Sequence, residues 1–334
     1  MVFKFSYLIL MVFGTFLTLS SSSWFVAWLG LEINMMGFIP FVGVRGKIMS
    51  ESVFKYFLVQ AIGSLILFMV GLMGSTIFGY WMFVYDFLFS GGVIVFLMSL
   101  KMGASPFHSW FLSVSEGLDW VSLSVLMTWQ SLAPLGLIMI SGWSMVAVIL
   151  IGVMSVVIGG LGGLNQLVVS KILAYSSISH LGWMSVLFLL SSYCGVLYFL
   201  VYTIVSLGLV YYFFGSSYTH LGQFQYTNHV GYLVFGSFCL SLFSLGGLPP
   251  FLGFYSSWIG ILSMLEAGYF WLVLFYVMVG LYTLYFYLRL GYVWFLSSGG
   301  SGGWWMFEGV YLYFWGLLTG AGSLFMLPIF MYIM

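Results

Sequence analysis

Apolar residues in this chain fall in runs of about twenty, the length of helix needed to cross a bilayer core. They do not alternate strictly with polar residues, so the runs predict helices rather than barrel strands. Helices are expected near 5–20, 24–43, 54–74, 88–110, 121–140, 143–163, 172–191, 195–215, 231–266, 270–290 and 311–332. The stretch TIFGYWMFVY at 76–85 is apolar but short, and is expected as an interfacial loop. The run 231–266 is too long for one ordinary crossing. Its SLGGLPPFLGF holds Pro249 and Pro250, which cannot continue a helix. It reads as two helices or as one broken helix. A second interruption, SLKMGASPFHSW at 99–110, puts Pro106 inside the fourth run.

Basic residues decide between one crossing and two. If 231–266 crosses once, Lys4, Arg45, Lys47, Lys55, Lys171 and Arg289 all fall on one side. If it crosses twice, Arg289 moves to the other. The bias of Lys and Arg toward the cytoplasm-equivalent side favours the single crossing. The expected fold is an all-α integral membrane protein of about eleven transmembrane helices, the ninth discontinuous, with the N-terminus on the matrix side. Helices 1–5 and 6–10 then form two sets of five, about 1–140 and 143–290. A C-terminal helix near 311–332 completes a single transmembrane domain, 1–334. An odd number per set inverts the second against the first, and the proline-broken helix is fourth in each. Broken segments at matching places of inverted repeats point to an ion or substrate site. No residue-level repeat is evident, so this symmetry rests on topology.

Composition supports the membrane reading. The chain is 63% hydrophobic and 4% charged over 334 residues, against about 25% charged in soluble domains. Zero net charge gives no electrostatic case for nucleic acid. Cys194 and Cys239 stand apart without a CxxC, so no iron–sulfur or zinc site can be built from cysteine. There is no P-loop, no dinucleotide-binding glycine pattern and no metal-ligand spacing. The first run, with Lys4 before it and SSSS after it, is expected as a retained helix, not a cleaved signal. No Arg-rich presequence is visible, so an organellar location implies synthesis inside the organelle. The abundance of Phe, Val, Gly, Trp, Tyr and Leu, all codable with G and T or nearly so, fits such a gene.

Two ionisable residues lie inside the runs. Glu32 is near the middle of WFVAWLGLEINMMGFIPFVG, and Lys101 is near the middle of the fourth run. A charge at the bilayer centre costs roughly 2.5–3.5 kcal/mol on the insertion scale. The natural offset is a partner of opposite sign, so Glu32 and Lys101 are expected to face each other or share a wet cavity. Pro106 is expected to free the carbonyl of Met102, beside Lys101, to hold water. A buried lysine whose proton affinity depends on a carboxylate has the property a proton carrier needs. A static ion pair joining two helices is the competing reading. His180, in KILAYSSISHLGWM among Ser176, Ser177 and Ser179, is a candidate relay or a hydrogen bond between helices. His108 follows the break and reads as structural, while His220 and His229 lie in a polar loop.

Four stretches carry a family resemblance. LKMGASPFHSW is similar to an LKLGxAPFHFW motif, KILAYSSISHLGWM matches almost throughout, SLGGLPPFLGF resembles SLGGLPPLxGF, and GLEINMMGFIP joins them. Together they resemble the antiporter-like subunits of respiratory complex I, in particular the chain 2 family of mitochondrial NADH–ubiquinone oxidoreductase. The resemblance spans the second to ninth runs. It implies inverted five-helix repeats with two broken helices, and proton translocation coupled to quinone reduction elsewhere. It implies FMN, iron–sulfur clusters and ubiquinone in partner subunits and no cofactor in this chain. Its partners would be other membrane-arm subunits and lipids of the mitochondrial inner membrane. The family glutamate maps to Glu32 and its first lysine to Lys101. A second lysine, in WQKLAP, is replaced here by Ser131 in TWQSLAP. A third, in GFLPKW, is replaced by Ser257 in GFYSSW. Glu266 is an ill-placed substitute for the last, and His180 can take the middle role. These departures leave two rivals to pumping: a structural subunit of the same complex, and a free-standing cation/proton antiporter.

Overall fold

The computed structural model describes residues 2–43, 46–78, 88–141, 144–216, 219–226 and 232–297. Among these, the regular elements are helices and there is no strand beyond one isolated bridge. In chain order they are α1 (Val2–Leu19), α2 (Trp24–Val42), α3 (Lys47–Phe78), α4 (Leu88–Met102), α5 (Ser109–Gly117), α6 (Trp120–Met127) and α7 (Trp129–Ser141). Then follow α8 (Met145–Gly162), α9 (Val169–Leu190), α10 (Ser192–Ser216), α11 (Tyr232–Leu245), α12 (Leu252–Glu266) and α13 (Phe270–Ser297). Seven helical stretches among the described residues are long and apolar enough to cross a bilayer by themselves. This is a multi-pass helical membrane protein. The expected helix at 311–332 and residues 79–85 of the expected loop lie outside the described residues; α3 itself continues to Phe78.

The chain groups into two compact units, Met1–Ser155 with Met184–Leu189, and Val156–Trp183 with Leu190–Met334. In the first, α1 lies along α2 with backbones nearly touching: a methyl group on Gly14 would sit 2.8 Å from the Gly30 carbonyl oxygen. Small residues permit that approach where lipid supplies no hydrophobic drive between helices. Helix α3 packs on α2, α4 and α5, and α7 receives α1 and α4. The outer face of α3 exposes Ile48, Phe54, Leu58, Ile62, Leu65 and Met69, a surface suited to acyl chains. In the second unit, α10 packs on α11 and α12, and α13 packs on both and on the 3₁₀ turns Gly163–Asn165 and Leu221–Tyr226. The Arg289 guanidinium of α13 donates to the carbonyls of Leu164 and Gln166, fastening the chain between α8 and α9.

The expected helix at 88–110 is divided into α4 and α5, but the division starts before Pro106. Helix α4 ends at Gly103, which takes the left-handed conformation (φ 74°). The amide of Ala104 donates to the Ser99 carbonyl (2.9 Å), and that of Gly103 to the Leu100 carbonyl (3.2 Å). This is a Schellman ending, the arrangement that glycine at the first position past a helix favours. The ladder has stopped before Pro106 can open it, so the proline does not free the carbonyl of Met102; it prevents the helix from restarting early. The run 231–266 is broken in the same way. Gly247 has φ 71°, its amide donates to Ser244 (3.1 Å), and Leu248 donates to Phe243 (3.2 Å). In both breaks a proline follows three residues after the glycine, and the next residue's amide closes a turn: Phe107 onto Ala104, Phe251 onto Leu248, each 3.0 Å. The expected helix at 121–140 bends at Thr128, between α6 and α7, where the hydroxyl bonds back to the Ser124 carbonyl (2.7 Å).

Candidate functional site

Lys101 occupies the last turn of α4, 5% exposed, while Pro106 is exposed. Three side-chain and backbone donors satisfy the carbonyls around it. The Gln60 amide of α3 donates to the Lys101 carbonyl (2.9 Å). The Trp110 indole of α5 donates to the Leu100 carbonyl (3.0 Å), which also receives the Gly103 amide. The aliphatic stem of Lys101 passes over Gly63: a methyl group there would sit 3.4 Å from Cγ and 3.5 Å from Cε. Glu32, half-buried in α2, is near enough for its charge to act on both Lys101 and Tyr56. The two charged side chains do not touch as an ion pair among the described residues. The Ser105 hydroxyl beside the break is buried and has no hydrogen-bond partner among the described residues.

A second polar group lies in the same unit, around Gln130. Its Oε1 accepts from Asn34 Nδ2 (3.0 Å) and from the Tyr56 hydroxyl (3.3 Å), and its Nε2 donates to Asn34 Oδ1 (3.3 Å). Ser131 follows directly, 3% exposed, its hydroxyl spent on the Thr128 carbonyl of its own helix (2.8 Å). Sequence reasoning singled out Ser131 and missed its neighbour, and also missed Asn34, Tyr56 and Gln60. A signal was present. Polar side chains inside a crossing face the bundle interior, and Tyr56, Gln60 and Gly63 recur at helical spacing on one face of α3.

His180 and Ser257 meet in the second unit. Both line a cavity of about 190 Å³ at the break between α11 and α12. Its wall also includes Tyr198, Tyr202, Ser244, Gly247 and Ser256. His180 Nδ1 shares a 2.9 Å hydrogen bond with the Tyr198 hydroxyl, and its ring packs on Tyr202 with centroids 5.0 Å apart. The opposite nitrogen, Nε2, is buried without a hydrogen-bond partner among the described residues. Ser257 donates to the Phe254 carbonyl (2.9 Å). The walls close tightly below it, for a methyl group on Gly253 would fall 1.6 Å from the Ser244 carbonyl oxygen. Pro249 and Pro250 are exposed on the far side of the turn, and Glu266, the exposed last residue of α12, is not part of the cavity wall. Among the described residues no group of three or more His, Cys, Asp or Glu side chains is placed to hold a metal ion.

A family model described as the transmembrane part of NADH:quinone oxidoreductase and Mrp antiporter proteins matches residues 21–283. The chain is 40% identical to NADH-ubiquinone oxidoreductase chain 2 of Anopheles gambiae, over 89% of this chain and 87% of that one. This chain belongs to the NADH-ubiquinone oxidoreductase chain 2 family. It is also 34% identical to the chain 2 protein of Equus asinus, over 84% of this chain and 82% of the other. The fold is similar to a chain of respiratory complex I from Thermus thermophilus, with TM-score 0.81 and 21% identity over 98% of this chain and 80% of that chain. It is also similar to a chain of the Mrp complex of Dietzia, with TM-score 0.75 and 17% identity over 85% of this chain and 59% of that chain. The stretches that carried the resemblance in sequence are those that build the two breaks, α2 and α9.

Proposed function

We propose that this chain is a membrane-arm subunit of proton-translocating NADH:ubiquinone oxidoreductase in the mitochondrial inner membrane, its N-terminus on the matrix side. It carries protons through Glu32 and Lys101, with His180 as the relay of the second unit. The fold behind this is two inverted five-helix repeats in an eleven-helix chain, and the matching breaks at Gly103 and Gly247 support it. NADH oxidation, FMN, the iron–sulfur clusters and ubiquinone belong to partner subunits, and this chain's part is the ion movement alone. The observation that carries the reading is a buried lysine at a broken helix end within electrostatic reach of a half-buried carboxylate. Such a pair changes its proton affinity when the gap between its members changes. Moving one charge against 100 mV takes about 2.3 kcal/mol, an amount a change in that gap can supply. In the second unit a largely apolar cavity of about 190 Å³ carries a few polar residues in its wall, among them Tyr198, Tyr202, Ser244, Ser256 and Ser257; these are the partners for ordered waters, through which His180 Nε2 exchanges protons.

A second reading is a subunit of the same complex that does not pump. It is favoured by Ser131 and Ser257, uncharged residues whose hydroxyls are committed to their own helices. The deciding experiment is Lys101→Met in the intact complex, reconstituted in sealed vesicles. Pumping through this chain predicts normal assembly with a lower proton-to-electron ratio; an unaltered ratio in a fully assembled complex favours the scaffold. Mild detergent extraction tests the third reading, a free-standing cation/proton antiporter: a chain that purifies alone would overturn assignment to the complex.

A further inference from the structure

Helix α3 meets the start of α5 and the end of α4 at three successive turns of one face. Tyr56 packs on Trp110, with ring centroids 6.0 Å apart, and Trp110 holds the Leu100 carbonyl. Gln60, 6% exposed, holds the Lys101 carbonyl. Gly63 leaves the groove for the Leu100 and Lys101 side chains, where a methyl group would come within 3.1 Å of Leu100 Cδ2. The residues are spaced so that all point the same way from α3. Among the described residues, the side chains that hold the Leu100 and Lys101 carbonyls come from α5 and α3, and the stem lies against α3.

We infer that Gln60 and Gly63 are positioning residues for Lys101. Gln60 pins the backbone carbonyl at the helix end, and Gly63 provides the slot along which the lysine stem runs, so that α3 sets where the ammonium group stands relative to Glu32. This rests on the reading of Lys101 as proton carrier and adds what orients it. A carbonyl released from Gln60 would face the lysine with an unmet acceptor, and buried acceptors take whichever donor is near. The lysine would then divide its time between its own helix end and Glu32. A methyl group at residue 63 would act from the other side: it would press on Leu100 Cδ2 at 3.1 Å, which must give by a few tenths of an ångström, and would fill the slot up to ordinary contact with the lysine stem.

The test uses the intact complex in sealed vesicles, measuring the proton-to-electron ratio across pH. Gln60→Leu removes the donor at similar size. Gly63→Ala presses on the Leu100 side chain and closes the slot beside the stem without removing a hydrogen-bonding group, and decides the matter should Gln60→Leu fail to assemble. Gln60→His keeps an N–H of similar reach. The expected result is a lowered ratio for Gln60→Leu and Gly63→Ala, with its pH profile displaced by about half a unit or more, and recovery in Gln60→His. A purely structural role would alter the amount of complex and leave the pH profile of the assembled fraction where it was. Lys101→Met is measured beside them. If it lowers the ratio while both α3 variants follow the unaltered profile, the positioning role is overturned and the carrier role stands. If Lys101→Met changes nothing, the carrier role is lost and the positioning role with it.

Discussion

Asn34 and Gln130 exchange two hydrogen bonds, joining the middle of α2 to the first turn of α7: Asn34 Nδ2 to Gln130 Oε1 at 3.0 Å, and Gln130 Nε2 to Asn34 Oδ1 at 3.3 Å. Asn34 lies two residues from Glu32, and Gln130 directly precedes Ser131, so a neutral amide pair ties the site's carboxylate helix to the helix that carries Ser131. Tyr56 adds a third donor to it.

Gln130→Leu should leave the Asn34 amide and the Tyr56 hydroxyl without their partner. Each buried polar group stranded in this way costs about 1–3 kcal/mol. The expected outcome is a lower thermal midpoint for the subunit within the complex, measured by retention after a heating series. Gln130→Leu combined with Asn34→Leu should recover part of the loss, because the stranded amide is then removed too.

Gly103→Ala should be more harmful than its size suggests. Alanine in the left-handed region costs roughly 1–2 kcal/mol, and here the methyl group would also fall 2.6 Å from Phe111 Cβ. Loss of assembled complex is the expected result, read by native gel. Gly253→Ala should fail more completely, since its methyl group would overlap the Ser244 carbonyl and neither backbone can yield without opening the α11–α12 break.

His180→Gln keeps a hydrogen bond toward Tyr198 and removes the titrating ring. Ser257→Leu fills part of the cavity with hydrocarbon and excludes water. Both are expected to assemble and to lower the proton-to-electron ratio in sealed vesicles. Unaltered ratios in both would remove the second unit from the proton route and confine it to Glu32 and Lys101.

Arg289→Lys preserves charge but loses the fork that reaches the Leu164 and Gln166 carbonyls together. Faster amide hydrogen exchange across residues 163–168 is expected, by mass spectrometry of the intact complex, with little change in exchange within α9.

Much of this protein was legible in its sequence. Runs of apolar residues longer than a bilayer core is thick leave no soluble alternative, and in hydrocarbon a helix satisfies its own backbone. Two charged residues inside such runs stand out because their burial is costly. Pro106 and Pro249–Pro250 lie at the two breaks, but proline alone is not the mark, since Pro40 and Pro134 sit inside α2 and α7. These inferences concern what a single segment can or cannot do, and a segment carries that information by itself. The repeated G-x-x-P-F at the two breaks could also have been read, once glycine rather than proline was taken as the residue that ends the helix.

Tertiary structure decided the rest. It ended α4 at Gly103 and left Pro106 on the outside, because the carbonyls of the last turn found partners in Ala104, Gly103, Trp110 and Gln60. It left Glu32 and Lys101 without a direct ion pair among the described residues, set Gln130 rather than Ser131 at the centre of a polar cluster, and brought His180 and Ser257 to one cavity. Each of these depends on which faces of which helices meet. Helix positions are dictated by local hydrophobicity, but in lipid the faces are chosen by small residues and scattered hydrogen bonds between segments far apart in the chain, and no stretch of sequence contains both partners.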